Sequence, residues 1–172
     1  MDVIFDIDGT LLDITHRLKY IKQWPKDWNS FRSPGEKVYD VPILPIINIA
    51  TALSMAGHRL IFASGRLEEE RLDTVRSLSK WFLLDGWAKI YNPADFGEMY
   101  EDDPEKVPWH PFYLRKNNDY RADTIVKGEM FDQMLADGYE PTMVFDDRPS
   151  VIRMWKELGG LTVIDVGEGK EF

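Results

Sequence analysis

The chain has 172 residues, of which 44% are hydrophobic and 30% charged, so it can form one globular domain with a core but not two of ordinary size. It contains no cysteine, which excludes disulfides and thiolate metal sites. The net charge of −9 argues against an extended basic face, so a nucleic acid would have to meet a local basic site. No apolar run has the length of a membrane span and no signal-peptide pattern opens the chain, so we expect a cytoplasmic protein without a membrane partner.

Short apolar runs alternate with helical patterns along the chain. Such runs are typical of buried parallel strands, whereas apolar spacings of three and four residues indicate helices with one buried face. Pro45 is placed to open one helix, and Asp123 is placed to cap another. In chain order the predicted elements are strand 3–6, helix 45–57, strand 60–63, helix 67–82, helix 123–138, strand 142–145, helix 149–159 and strand 161–166.

This alternation predicts an α/β protein with a Rossmann-like, mainly parallel sheet and helices on both faces. Two segments do not fit the pattern. Residues 14–42 hold Trp24, Trp28 and Phe31 among prolines and charges, which predicts a small helical cap over the site. These aromatic side chains could stack on a base or form a local core. Residues 92–111 predict an exposed acidic insert, and we expect residues 1–172 to form a single domain.

Polar side chains follow three of the predicted strands. Asp6 ends the first strand, Ser64 follows the second, and Asp146 and Asp147 follow the third. In open α/β sheets ligands bind at the carboxyl ends of the strands, so these side chains should meet at one edge. One polar residue after a strand is ordinary loop chemistry, but three strand ends together indicate a site.

The aspartates of this edge predict a metal site with oxygen ligands only. Asp6, Asp8, Asp146 and Asp147 can supply the hard oxygen donors that suit Mg²⁺, which also binds substrate phosphate. A Ca²⁺ loop is the alternative, but it needs glycine at its sixth position, and Gly9 is fourth when counted from Asp6.

Four motifs occur in the order and on the elements of one known family. They are "DIDGT" at 6–10, "ASGR" at 63–66, the lysine of "DTIVKGE" at 123–129 and the acid pair of "VFDDRP" at 144–149. The chain therefore resembles the haloacid dehalogenase-like (HAD) phosphohydrolases. It is most similar to the phosphatase domain of bacteriophage-type polynucleotide kinase/3′-phosphatase, because Arg17, Arg115, Asp123 and "DDRPSVIRMWKELG" also match. The resemblance is weakest across residues 92–111 and across the cap.

The resemblance implies an aspartyl-phosphate mechanism. Asp6 would be the nucleophile, and Asp8 would protonate the leaving oxygen and later activate water. Ser64 and Lys127 would bind the transferring phosphoryl oxygens, and Lys127 would also offset the nearby carboxylates. Mg²⁺ would be held by the side chains of Asp6, Asp146 and Asp147 and by the backbone carbonyl of Asp8.

The resemblance also implies residues that bind the substrate beyond the phosphate that is removed. Arg17, Arg66 and Arg115 would do so, together with Gly65 of the second motif. Each arginine could instead form a surface ion pair, because the chain has 30 acidic residues. Asp123 could cap its helix or steer Lys127 one turn further on. Arg121 and Arg148 are interpreted as surface charges.

Three functions remain open. The first is a Mg²⁺-dependent removal of 3′-phosphate from polynucleotide ends. The second is the same chemistry on nucleoside monophosphates or other small phosphate esters, and the third is a phospho-acceptor or binding module without turnover. The phosphate-binding pattern G-x-x-x-x-G-K-[ST] is absent, so we expect no kinase domain in this chain. The resemblance to a phage enzyme extends the expected location to the cytoplasm of an infected host.

Overall fold

The computed structural model describes residues 1–81 and 110–169. Most of the predicted acidic insert, residues 92–109, lies outside these ranges, as does the last residue of the predicted helix 67–82. In chain order the strands are β1 (Asp2–Phe5), β2 (Leu12–Asp13), β3 (Val41–Pro42), β4 (Arg59–Leu67), β5 (Phe112–Arg115), β6 (Pro141–Asp146) and β7 (Thr162–Asp165).

Five of these strands form one parallel sheet in the order β5-β4-β1-β6-β7, while β2 and β3 pair antiparallel beside it. Phe5 of β1 lies opposite Phe62 of β4 and Phe145 of β6. Asp6, directly after β1, and Asp146, the last residue of β6, therefore lie at the same level of the sheet. The register thus brings the predicted strand-end residues to one edge.

The helices cover both faces of the sheet, as the sequence predicted. They are α1 (Lys19–Lys22), α2 (Trp28–Arg32), α3 (Pro34–Lys37), α4 (Leu44–Met55), α5 (Arg71–Ser79), α6 (Asp123–Ala136) and α7 (Pro149–Leu158). Ile47 of α4 and Val75 of α5 join the core on one face, and Met130 of α6 and Trp155 of α7 join the core on the other. Within the described ranges no helix combines the length and apolar character that crossing a membrane requires.

The strands next to the site differ from the predicted elements. β4 continues past residue 63 to Leu67, and a 3₁₀ turn (Glu68–Glu70) precedes α5, so the predicted helix 67–82 starts too early. The reason is tertiary, because β5 pairs with β4 as far as Leu67 and extends it. The sequence analysis did not predict β5, a four-residue strand (FYLR) that directly follows the predicted acidic insert and ends in a charged residue.

Residues 14–42 form short helices between β2 and β3. A 3₁₀ turn (Thr15–Arg17) is followed by α1, α2 and α3. Ile14, Leu18 and Ile21 are buried and belong to the same core as β1, so the segment is fixed to the sheet. Its helical character agrees with the sequence analysis, and its role as a cap stays a prediction.

Candidate active site

A cavity of about 320 Å³ opens at the carboxyl edge of the sheet. It contains Asp6 from the end of β1, Ser64 from β4, Lys127 from α6 and Asp146 from β6. All four side chains are buried. Residues from four elements that are distant in sequence therefore meet in one polar cavity. Ser64, which was predicted to follow its strand, lies inside β4 because that strand continues to Leu67.

Lys127 connects two of the carboxylates. Its Nζ donates to Asp6 Oδ1 and to Asp146 Oδ2, both at 2.7 Å. Trp155 Nε1 also donates to Asp146 Oδ2, at 3.1 Å. Burial alone would lower the pKa of Lys127, but the charges of Asp146 and Asp6 outweigh it and raise that pKa above its usual range. The ammonium group therefore stays charged between the two acids.

Asp6, Asp146 and Asp147 form a cluster that could hold a metal ion. One carboxylate oxygen from each lies within 4.8 Å of the others, and all three side chains are buried. Burial raises the pKa of Asp6 well above its usual value, and the charges of Asp146 and Asp147 add to the rise against the opposing effect of Lys127. Burial and the neighbouring charge of Asp146 raise the pKa of Asp147 to about 6. Three acids with one lysine leave excess negative charge, and their oxygen donors fit Mg²⁺.

Gly9 allows the turn after β1 to pass close to this cluster. Its φ of +95° is unfavourable for other residues, and a Cβ there would lie 2.1 Å from Asp147 Oδ2. The next residue, Thr10, donates its hydroxyl to Asp147 Oδ1 at 3.2 Å. The glycine and threonine of "DIDGT" therefore position Asp147, which comes from the far end of the chain.

Asp8 does not share in the carboxylate cluster, because its side chain binds two arginines. Arg66 Nε donates to Asp8 Oδ2 at 3.0 Å, and Arg17 Nη2 donates to Asp8 Oδ1 at 2.7 Å. Burial alone would raise the pKa of Asp8, but the charges of Arg66 and Arg17 hold it below its usual range. The backbone carbonyl of Asp8 as a metal ligand stays a prediction.

Asp40 is a residue of the site that the sequence analysis missed. Its carboxylate accepts from Arg17 Nε at 2.8 Å and from Arg66 Nη2 at 2.8 Å. Its side chain is fully buried, so Asp8, Asp40 and the two arginines form a closed group of two acids and two bases. No motif includes Asp40, and only the folding of residues 14–42 brings it to the arginines.

Asp123 has a different role from the predicted helix cap. The N-cap of α6 is Ala122, and no side chain caps it. The carboxylate of Asp123 instead accepts hydrogen bonds from the guanidinium groups of Arg115 and Arg148. Its charge also helps to raise the pKa of Lys127, whereas the steering of that lysine by Asp123 stays a prediction. Arg148, interpreted from sequence as a surface charge, lines the cavity.

The remaining predicted residues also lie in the cavity. Ser64 Oγ accepts from the backbone N–H of Arg66 at 3.3 Å, and the carbonyl of Gly65 accepts from Arg115 Nε at 3.3 Å. Arg121 lines the cavity as well, but it is exposed and pairs with Asp119 and Glu129. Every predicted site residue is therefore in one place, while the arginines are already bound to acids or carbonyl groups.

Comparison with known proteins identifies related chains. Two chains of the solved Pnkp1/Rnl/Hen1 complex, in one case described as an RNA repair complex, match with TM-scores of 0.69 and 0.68 at 25% and 24% identity. Each match covers 99% of this chain, which spans 43% and 47% of those chains. A protein described as a bifunctional polynucleotide kinase/RNA ligase of Autographa californica nuclear polyhedrosis virus is 35% identical over 57 residues, which are 33% of this chain and 8% of that protein. The chain thus spans less than half the length of each of these relatives.

A match to a family profile shows the family of this chain. The profile of the polynucleotide kinase PNKP phosphatase domain matches residues 1–171, which is nearly the whole chain. The match agrees with the parallel sheet, the four motifs and their assembly at one edge. The chain belongs to the family of polynucleotide kinase PNKP phosphatase domains and is a phosphatase of the HAD type.

Proposed function

We propose that this chain is a Mg²⁺-dependent phosphomonoesterase that removes 3′-phosphate from polynucleotide ends through a phosphorylated Asp6. The observation that carries the proposal is the buried contact of Asp6 with Lys127 beside Asp146 and Asp147. A nucleophilic carboxylate, a fixed cation and a set of oxygen donors are what phosphoryl transfer requires. Membership of the PNKP phosphatase-domain family supports the polynucleotide end as the substrate.

In the first step an oxygen of Asp6 attacks phosphorus, the bond from phosphorus to the 3′-oxygen breaks, and Asp8 gives its proton to that oxygen. In the second step water attacks phosphorus, the bond to Asp6 breaks, and Asp8 takes the proton of the water. Lys127 and Ser64 bind the phosphoryl oxygens during both steps. Mg²⁺, held by Asp6, Asp146, Asp147 and the carbonyl of Asp8, would neutralise charge on the phosphoryl group.

Asp8 must gain a proton before it can act as an acid. In the free protein Arg66 and Arg17 stabilise its ionised form. A bound substrate phosphate offers the two guanidinium groups another anion, which weakens their hold on Asp8. We propose that Arg17 and Arg66, together with Arg115 and Gly65, bind the substrate in this way, and that Asp123 positions Arg115.

The charge of the cavity supports an anionic polymer as the substrate. Among the described residues eight basic and seven acidic side chains line it, whereas the whole chain carries −9. The cavity is therefore less acidic than the chain as a whole, which supports binding of an anionic chain end there. We also propose that residues 14–42 act as the cap of a single domain. The viral relative fits a phage or viral origin, and action in the host cytoplasm is part of the same proposal.

Phosphate release from a substrate panel tests the proposal. The panel contains a 3′-phosphorylated oligonucleotide, the same oligonucleotide with a 5′-phosphate, and free 3′- and 5′-mononucleotides, each with Mg²⁺ or with EDTA. We expect the highest kcat/KM on the 3′-phosphorylated oligonucleotide, no turnover in EDTA, and no turnover by Asp6→Asn. A higher kcat/KM on mononucleotides would make the nucleotide the substrate. A stable phosphorylated Asp6 without turnover would indicate a phospho-acceptor.

A further inference from the structure

Three residues of the segment 14–42 form a basic and aromatic surface on the cavity wall. These residues, Lys26, Trp28 and Arg32, are called the Trp28 patch, and all three line the cavity that contains Asp6. Neither Lys26 nor Arg32 forms an ion pair within residues 1–81 and 110–169. Two cations without acidic partners among the described residues, beside an active site, point to an anionic ligand.

The indole of Trp28 is accessible and held in place. It is 41% exposed, and its ring packs edge-on against Phe31 with centroids 5.7 Å apart. Arg32 Cζ lies 5.1 Å and Lys26 Nζ 5.4 Å from the indole centroid, which is within cation–π distance. The patch therefore combines a partly exposed aromatic ring with two positive charges that lie over it.

Phe31 connects the Trp28 patch to the catalytic residues. Arg17 Cζ lies 4.5 Å from the Phe31 ring centroid, and Arg17 Nη2 donates to Asp8 at 2.7 Å. Trp28 is thus separated from Asp8 only by Phe31 and Arg17. A ligand whose terminal phosphate lies at Asp6 would bring its neighbouring groups to this wall of the cavity.

We propose that the Trp28 patch binds the nucleotide next to the one that carries the 3′-phosphate. This inference rests on the proposed function and names the part of the substrate that the patch recognises. The base stacks on the indole or on the guanidinium plane of Arg32, and Lys26 and Arg32 contact the connecting phosphodiester. Stacking accepts any base, so the patch favours a polynucleotide over a small phosphate ester without selecting a sequence.

Trp24 provides a matched comparison within the same segment. It is 89% exposed and does not line the cavity. If aromatic residues of the segment served only its local packing or solubility, Trp24 and Trp28 would have similar effects on turnover. If the patch binds a nucleotide, only Trp28 affects the reaction.

Steady-state kinetics of Trp28→Ala and Trp24→Ala test the base contact. The substrates are a 3′-phosphorylated hexanucleotide, the same hexanucleotide with an abasic site next to its last nucleotide, and p-nitrophenyl phosphate. We expect Trp28→Ala to lower kcat/KM on the hexanucleotide by about 5- to 150-fold, the range of one base–aromatic stack. The loss of kcat/KM by Trp28→Ala on p-nitrophenyl phosphate should be several-fold smaller. Trp24→Ala should have the kcat/KM of the wild type on all three substrates.

The abasic substrate identifies which group Trp28 contacts. The abasic site should slow the wild-type enzyme but should cause little further loss in Trp28→Ala, because both changes remove the same stack. Equal losses by Trp28→Ala on the hexanucleotide and on p-nitrophenyl phosphate would overturn the proposal, as would equal losses by the two tryptophan variants.

Binding of a ligand that is not hydrolysed separates this proposal from the proposed function. The probe is 5′-fluorescein-labelled hexathymidylate with a 3′-hydroxyl, followed by fluorescence anisotropy in EDTA. In Lys26→Ala/Arg32→Ala the slope of log Kd against log salt should fall by about 1.4, the value for two contacts to single-stranded phosphates. Lys19→Ala/Lys22→Ala, which removes equal charge from α1 outside the cavity, should keep the wild-type slope.

The proposed function and the Trp28 patch can therefore be contradicted by different results. A wild-type protein that releases no phosphate from 3′-ends contradicts the proposed function, whatever the probe does. Normal turnover on 3′-ends together with wild-type slopes and affinities in the patch variants contradicts the Trp28 patch alone.

Discussion

Asp40 belongs to no sequence motif, yet its carboxylate binds both arginines that hold Asp8. The contacts from Arg17 and Arg66 are each 2.8 Å long, and the Asp40 side chain is fully buried. Two guanidinium groups buried with one acid would carry an uncompensated charge, which is costly away from water. Asp40 therefore balances the charge that the reaction needs beside Asp8.

We expect Asp40→Ala to lower the free energy of unfolding by about 3–5 kcal/mol, the cost of breaking a buried ion pair from one side. Urea denaturation measures the change. Glu129→Ala, which removes the acid of the exposed pair with Arg121, is the control and should not change the midpoint measurably. Equal effects of the two substitutions would mean that burial of the arginine group does not contribute to stability.

The raised pKa of Asp147 predicts how stability depends on pH without metal. Its pKa is about 6 in the folded protein and 3.8 when unperturbed, so between these values the folded state binds the proton more tightly. The protonated Asp147 therefore contributes to the free energy of unfolding at low pH. This contribution is lost as the pH rises from 3.8 to about 6. In EDTA the melting temperature of the wild type should therefore fall more steeply from pH 4 to pH 7 than that of Asp147→Asn. Parallel curves would contradict the assigned pKa.

At the scale of elements, the turn after β1 contacts the loop after β6, which is distant in sequence. Asp6 directly follows β1, and the turn at Gly9 brings the backbone close to Asp147, which follows β6. The parallel pairing of β1 with β6 places these two loops side by side. A change in the turn should therefore affect the acid cluster as well as the backbone.

Gly9→Ala and Gly57→Ala separate these two effects. Both glycines have positive φ, +95° and +82°, but a Cβ on Gly57 meets no atom within 4 Å. Each substitution should cost about 1 kcal/mol or more of stability through the backbone conformation. Only Gly9→Ala, which displaces Asp147, should also lower kcat by at least tenfold in a phosphate-release assay. Full activity of Gly9→Ala would show that the position of Asp147 does not limit turnover.

At the scale of the whole molecule, the fold brings charged side chains that are distant in sequence into one buried cluster. Asp6 and Lys127 are 121 positions apart in sequence, and the sheet brings them within 2.7 Å. Asp6, Asp146 and Asp147 are buried together and Lys127 binds the first two, so the folded state should be stabilised by a divalent cation. The unfolded chain separates Asp6 from Asp146 and Asp147 and gains no comparable site.

Mg²⁺ should therefore raise the melting temperature of the wild type. At a concentration 100 times Kd the gain is about 2.7 kcal/mol, which corresponds to a shift of about 5–10 °C for a chain of this size. Differential scanning calorimetry with Mg²⁺, and with KCl at equal ionic strength, measures the effect. Asp146→Asn should lose most of the Mg²⁺ shift, and an undiminished shift in that variant would place the cation elsewhere.

The sequence by itself determined the alternation of strands and helices, the edge at which the site lies, and the motif residues Asp6, Ser64, Lys127 and Asp146. The elements, the edge and the residues Asp6, Ser64 and Asp146 follow from local hydrophobic periods and from the rule that ligands bind at strand ends. Lys127, which lies on a helix, was predicted from the resemblance to the HAD phosphohydrolases. Only the tertiary structure decided the extension of β4 by β5, the binding of Asp123 to two arginines instead of a helix end, and the burial of Asp40. These features depend on which residues, distant in sequence, the fold places side by side. A buried charge is costly unless it pairs, so it binds the opposite charge that lies next to it in the folded protein.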